Sequence, residues 1–442
     1  MIIVAARRAT LDSEFLSQGC GARPSGRERG VIKPCHLARR SLASTAFAVL
    51  LLTLLPRALS AQTLPAGPAT AFDGRLAAGA EVVATIGDRD ESAFFNYTDY
   101  EHNVLRMFRV ALSGSWRPFE RLAFVGEVQS EDLTEVRPYA AYVRIRPIRS
   151  VPLDIQAGRI PPVFGSFGRR AYNVNNPVIG YPLAYQYLTS LRPDAIPATH
   201  DDLLRMRARG WLATYPIGSP DPAPGIPLIS AFRWDTGVQA HWRHEIVEVA
   251  GAVTAGTLAD PRVSDNNSGR QISGRVALHP VTGLIVGTSA AHGEWLDREV
   301  MELLPADAPT YDQTAWGLDA EYSRDHWIVR AELVKSRWQV PFAAIAAAEN
   351  VDALGAWVEG RYRFTPRIFA GARIDHLGFS KISTDTRGAL VTWEAPVTRV
   401  EGAAGYYLQR NLVARLTVQF NDRDGGRIQR RTYFAGQLAY WF

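Results

Sequence analysis

Thiols, lysines and long apolar runs are all scarce in this sequence, and each shortage removes a class of function. The two cysteines, Cys20 and Cys35, both fall near the amino terminus, inside what reads below as a removable leader. The exported chain then has no thiol to form a disulfide, ligate a metal or attack a substrate. Past the leader the lysines are Lys335 and Lys381 alone, so cationic chemistry rests on arginine. After Ala61 no apolar run approaches the ~20 residues that a membrane helix needs. Net charge vanishes as well. Removing the nine Lys/Arg and three Asp/Glu of residues 1–60 from totals of 49 and 44 leaves 40 basic against 41 acidic. A near-neutral chain has no general electrostatic hold on nucleic acid, which is therefore not expected as a partner.

Aromatic residues, glycine and ordered alternation are plentiful instead. Residues 33–61 place Lys33, Arg39 and Arg40 before an apolar stretch and then Ala58-Leu59-Ser60-Ala61, the order of a secretory signal peptide. The expected organisation is a leader at 1–61, a short periplasmic segment at 62–73, and one body at 74–442. With no helical span, a membrane body must be a closed barrel, because lipid offers no partner to an unpaired backbone N–H or C=O.

From Gly74 onward, apolar side chains alternate with polar or small ones in segments of barrel-strand length. The clearest runs Phe232, Trp234, Thr236, Val238, Ala240 and Trp242 against Arg233, Asp235, Gly237, Gln239, His241 and Arg243. The period predicts sixteen strands, near 75–86, 103–116, 120–130, 137–146, 150–159, 228–242, 245–257, 270–279, 283–293, 312–323, 326–337, 352–364, 367–377, 391–407, 411–421 and 430–442. Every second connection is short, as at Arg243-His244, Arg324-Asp325 and Gln409-Arg410. Connections at 87–102, 258–269, 294–311, 338–351 and 377–390 are longer and rich in Asp, Asn, Pro and Gly. Short periplasmic turns opposite long extracellular loops are the asymmetry of outer-membrane barrels. Aromatic girdles are expected from Trp116, Trp242, Trp327, Phe364 and Trp441 at one rim and Tyr97, Trp295, Tyr311 and Trp338 at the other. A soluble sandwich or propeller also has many short strands, but not alternating turn lengths with Trp, Leu and Phe on the outward positions.

The final segment, with Phe434, Leu438, Tyr440 and Phe442 at every second position or nearly so, resembles the carboxy-terminal strand of bacterial outer-membrane barrels. That resemblance implies export to the outer membrane of a Gram-negative bacterium, outer-membrane lipid as surroundings, and the barrel-assembly machinery as a partner reading those residues. The sixteen-strand count, with its longest insertion after the fifth strand, resembles the general and phosphate-selective porins. The fold class implied is an all-β, 16-stranded antiparallel transmembrane barrel whose long third loop folds inward. A homotrimer is implied by the same resemblance. No lysine ladder like that of phosphate-selective porins is present.

The third loop is expected at 160–227, too long for a plain connection and so a candidate functional insertion. It carries Arg169, Arg170, Arg192, Arg205, Arg207 and Arg209 as candidate constriction residues, which at a narrow point attract anions. Residues 201–209 (DDLLRMRAR) are expected to be helical, with acids and arginines matching the helix dipole. An external cap, with the arginines paired to Asp194, Asp201 and Asp202, is the alternative. Expected wall residues facing the lumen are Arg233, Asp235, Arg275, Asp319, Glu321, Arg330, Glu359, Arg361, Arg373 and Arg415, among other acids such as Glu81, Glu127, Glu332, Asp375 and Glu401. The mixture of signs fits either a transverse field or structural charge ladders. The function read from this is passive diffusion of small polar solutes, with an anion preference as the expectation from the loop arginines and no cofactor. An outer-membrane hydrolase using His200, His241, His244, His279, His292, His326 or His376 lacks any metal or nucleophile spacing. A plugged structural or adhesin barrel is the third reading.

Overall fold

The structure is a computed structural model and describes residues 76–87, 108–131, 133, 135–170, 172–230, 234–267, 269–305, 310–345, 347–385, 388–424 and 432–442. The leader, the 62–73 segment, residues 88–102 of the first long connection with Tyr97, and Phe232 and Arg233 lie outside the described residues.

Sixteen antiparallel strands close into one barrel. They are β1 Leu76–Gly87, β2 Phe108–Phe119, β3 Leu122–Glu131, β4 Glu135–Ile145, β5 Leu153–Ile160, β6 Asp235–His244, β7 Val247–Thr254 and β8 Gln271–Val281, then β9 Leu284–Glu294, β10 Asp312–Arg324, β11 Trp327–Phe342, β12 Ala347–Arg363, β13 Ile368–Phe379, β14 Val397–Gln409, β15 Leu412–Arg423 and β16 Thr432–Trp441. Closure is direct. Val83 stands opposite Ala439, and Ala80 and Phe442 exchange both backbone hydrogen bonds at 3.0 Å. No strand edge is left to face lipid.

The period-2 pattern sorts side chains to two solvents. On β8, Ile272, Val276 and Leu278 are 65, 42 and 46% exposed, while Gln271, Ser273, Arg275 and Ala277 between them are buried. Leu112, Val238, Leu318, Ile374, Leu416 and Phe434 continue the exposed apolar set around the wall. Water would penalise so continuous a band and hydrocarbon does not, so this is a transmembrane barrel. Tight turns take the strain of reversal, with Glu245, Asp325 and Gly283 at positive φ. Aromatics gather at this turn end, Trp116 stacked on Phe124 at 5.5 Å and Trp327 tilted against Tyr362 at 4.6 Å.

Several boundaries differ from the sequence expectation, each for a packing reason. β11 and β12 run for 16 and 17 residues and stay paired to Phe342 opposite Ala347, so most of the expected loop at 338–351 is strand. Their upper inner faces, Trp338, Val340, Phe342 and Val351, are buried in a hydrophobic core at the loop end. Trp295 and Tyr311 join that core, so they and Trp338 are not lipid-facing girdle residues. Trp441 likewise turns away from lipid, packing against the inward cluster of Val83, Phe369, Val413 and Ala439. β6 begins at Asp235 because Leu228 and Ile229 are drawn into the third loop's core. The third loop therefore spans 161–234. Residues 390–392 pair with 381–383 in a separate hairpin rather than starting β14.

Candidate functional site

The third loop performs two jobs in sequence. Its first part, residues 161–187, lies inside the barrel, where it meets inner faces from β1 to β14. Close packing is visible at Gly317, Gly355 and Gly371, against which Phe164, Ala184 and Pro177 rest. A peptide segment brought into a lumen carries its N–H and C=O groups with it, and each needs a partner there. Wall carboxylates accept the N–H groups: Glu332 from Ser166 at 2.9 Å, Glu401 from Gly180 at 2.9 Å, Asp375 from Leu183 at 2.8 Å and Glu81 from Val174 at 3.0 Å. Wall arginines donate to the carbonyls: Arg330 to Asn175 at 3.0 Å, Arg373 to Gly180 at 2.5 Å and Arg399 to Tyr181 at 3.1 Å.

Glu332 is the most heavily used anchor. Besides Ser166 it accepts from the Tyr185 hydroxyl at 2.8 Å and from Trp357 Nε1 at 3.2 Å. Burial, with Glu332 beside it, holds the Tyr185 phenol well above its ordinary range, so it remains a donor. The chain approaches this carboxylate through Gly165 at φ 67°, where a Cβ would collide with the Glu332 side chain. Only glycine fits that left-handed, crowded position without strain.

Beneath these anchors the wall carries a belt of alternating charge set by cross-strand register. Glu321 faces Arg330, Arg330 faces Glu359, Glu359 faces Arg373 and Arg373 faces Glu401. The contacts are 3.0, 3.4, 3.4 and 2.7 Å in that order. Arg170 from the loop pairs with Glu321 and completes the belt. Three cations thus meet three anions. Outside the belt, Arg275 pairs with Asp319, two residues before Glu321 on β10, at 2.6 Å, and Arg144 and Arg146 share Asp154.

The rest of the loop, from 188, builds a cap over the barrel mouth. Arg192 is fully buried there, held in a fork by Asp194 at 2.9 and 2.7 Å and donating to the carbonyls of Ala213 and Asp221. The helix expected at 201–209 is His200–Arg205, capped by Thr199, whose side chain accepts from Asp202 N–H. It stops early because Ala208 adopts φ 61° and donates its N–H to Glu394 at 2.5 Å. Glu394 also accepts from Ser190 N–H and the Tyr187 hydroxyl, and burial pushes its carboxyl above the ordinary range. Trp393, Phe379 and Trp338 pack the cap core edge to face, with ring centroids 5.0 and 6.1 Å apart.

No family model and no curated protein matches this sequence. Among solved structures, the anion-selective porin from Comamonas acidovorans superposes over 83% of this chain and 99% of its own with a TM-score of 0.50 at 9% identity. The chain has the porin fold. Also similar are the trimer form of in-vitro folded OmpT, an outer membrane protein of Vibrio cholerae (83% and 99% covered, TM-score 0.49, 10% identity), and Salmonella typhi OmpF in complex with daunomycin (83% and 97%, 0.48, 11%).

Within this porin fold, the six loop arginines singled out from sequence do not converge. Arg170 reaches the lumen wall, Arg192 is internal to the cap, Arg205 pairs with Asp202 on the helix, and Arg207 bonds Thr392 and Asp424 at the rim. Arg169 follows Gly168 in a short 3-10 turn, and its side chain lies outside what is described; Arg209 belongs to the cap segment. Of the wall residues, Arg275, Asp319, Glu321, Arg330, Glu359 and Arg373 form the pairs given above. Arg361 and Arg415 share their inward face. Asp235 closes the top of β6 by accepting from the N–H groups of Thr236, Gly256 and Arg262. At the closing strand Phe434 is exposed to the outside, with Leu438 and Tyr440 on the same face. Glu394 and Arg399 are site residues that sequence reasoning passed over. Glu394 sits in an aperiodic loop and gives no signal, whereas Arg399 lies in strand alternation and was findable.

The histidines are scattered. His241 contacts Glu248 at 3.0 Å, His200 lies between Glu349 and Asp385 at the cap, and His292 and His376 each meet a threonine on the outer face. Among the described residues, no group of three or more His, Cys, Asp or Glu is arranged to hold a metal ion.

Proposed function

We propose that the chain is an outer-membrane channel for passive diffusion of small polar solutes, narrowed by residues 161–187. One observation carries the reading: a closed sixteen-strand wall, apolar outside and charged within, holds an inserted loop by bonds from wall side chains to loop backbone. Such a lumen selects first by size. The charge belt is balanced, so it contributes a transverse field rather than a net attraction for anions. The outer surface suits outer-membrane lipid, the exposed face of β16 suits the assembly machinery, and a homotrimer is the proposed state in the membrane.

The depth of the loop's attachment also favours a second reading, a plugged structural barrel. Planar-bilayer recording of the refolded protein separates the two. Reproducible unitary conductance supports the channel; a folded barrel with no conductance at any holding potential defeats it and supports the plug.

A further inference from the structure

The arginines facing the lumen divide into two kinds. Those of the belt have carboxylates on neighbouring strands, as Arg330 does between Glu321 and Glu359 and Arg373 between Glu359 and Glu401. Arg361 and Arg363, on the same face of β12 toward its turn end, have none. Arg361 is flanked across the strands by Ile328 and Gly371, and Arg363 by Phe369. Among the described residues their contacts are aromatic: Arg361 lies over the Phe369 ring at 6.0 Å and Arg363 over the Tyr407 ring at 5.8 Å. Those two rings pack at 5.6 Å, and the far edge of the Phe369 ring occupies the space that a side chain at Gly405 would need.

Gly405 faces Arg415 on the next strand, and Arg415 donates to Gln437 at 2.7 Å. Arg361 lies within electrostatic range of Arg363 and Arg415, and of Glu359, a carboxylate already shared by Arg330 and Arg373; Glu359 and Glu81 also lie within range of Arg415. Two guanidinium groups thus lie over a floor of two aromatic rings, with Arg415 beside them across the strand from Gly405. Like charges are costly to gather unless something offsets them, and ring quadrupoles offset only part. Two of the three groups remain open to solvent, with Arg361 half-buried and Arg363 exposed. Pro177 of the inserted loop rests on Gly371, the cross-strand neighbour of Arg361. The cluster therefore lies beside the narrowed section, at its turn-side exit.

We propose that Arg361, Arg363 and Arg415 form a binding site for a small oxyanion, a phosphate or carboxylate group carried by a solute, at the turn end of the lumen. Planar guanidinium forks match such groups bidentately, and residues i and i+2 of one strand stand about 7 Å apart, a span that two forks close on one anion. The site deepens the channel reading by giving it a solute class, and it is tested without relying on conduction.

Pyrophosphate and succinate are titrated calorimetrically into the detergent-folded full chain and into R361A/R363A, with folding checked by β-sheet circular dichroism. Binding by the native chain, weakened about tenfold or more in the double variant, supports the site. R361K/R363K, which keeps the charge and loses the fork, is expected to fall between. A response to pyrophosphate alone assigns phosphate, and a response to both assigns oxyanions generally. No binding of either probe by the native chain, or equal binding by native and R361A/R363A, overturns the proposal. A chain that binds but never conducts keeps the site and loses the channel.

Discussion

Replacing Glu332 by alanine is the sharpest single perturbation of the inserted loop. Its carboxylate accepts from Ser166 N–H, the Tyr185 hydroxyl and Trp357 Nε1, and all four residues are buried. Truncation orphans three donors in a place water reaches poorly. Each unsatisfied buried donor costs about 1–3 kcal/mol, so even the low end sums to about 3 kcal/mol against the docked loop, roughly a hundredfold in its release equilibrium. Glu332→Gln keeps one acceptor oxygen and is expected to cost less. The direct readout is hydrogen exchange at the Ser166 amide, which should lose about two decades of protection in Glu332→Ala. Single-channel recording should show larger or noisier conductance as residues 164–187 move off the wall. If the alanine variant folds, keeps Ser166 protected and conducts as the native chain does, the anchoring argument is wrong.

Gly165→Ala places a Cβ against Glu332 at a left-handed residue; a cost of about 1–2 kcal/mol is expected, read as faster exchange at Ser166 with an intact barrel. Arg192→Ala strips two carbonyls and Asp194 of their shared donor inside the cap and should cost on the order of 3 kcal/mol of local stability. Proteolysis should then cut within 188–230, while ion selectivity stays unchanged; altered selectivity would return Arg192 to the lumen. Asp297, at the start of the short helix Arg298–Met301, has its carboxyl raised to about 6 by burial, with Asp260 and Asp194 adding to the rise against Arg262 and Asn266. The folded loop keeps that proton up to about pH 6 while the released loop loses it near pH 4, so the folded form binds more protons between those values and its stability falls as pH rises. Exchange protection around 296–304 should therefore be higher at pH 4.5 than at pH 7, a difference that Asp297→Asn abolishes.

Much of the wall was legible without coordinates. Strand alternation is a local property, because successive side chains on an extended backbone must point to opposite faces. The run Val238, Ala240, Trp242 against Gln239, His241, Arg243 thus named its two solvents directly. The inward position of Arg330, Glu359, Arg361 and Arg373 followed from the same period. Strand ends were less legible. Nothing in residues 338–351 announces that β11 and β12 stay paired to Phe342, because their pairing there is extended by a core assembled from the third loop and the cap.

Sequence alone determined the class of solvent on each face and the number of strands, since both depend on near neighbours along the chain. It did not determine which charges meet. Arg170, Arg192 and Arg207 look alike in a list of loop arginines, yet one joins a wall belt, one is sealed inside the cap and one bonds the rim. Arg361 and Arg373, twelve residues apart with the same inward direction, differ as sharply, one stacked on an aromatic ring and one locked between carboxylates. Those outcomes depend on strand register and on where a 74-residue loop at 161–234 comes to rest. Such distances are fixed only when the barrel closes, because partners hundreds of residues apart are brought together by the ring and not by the chain.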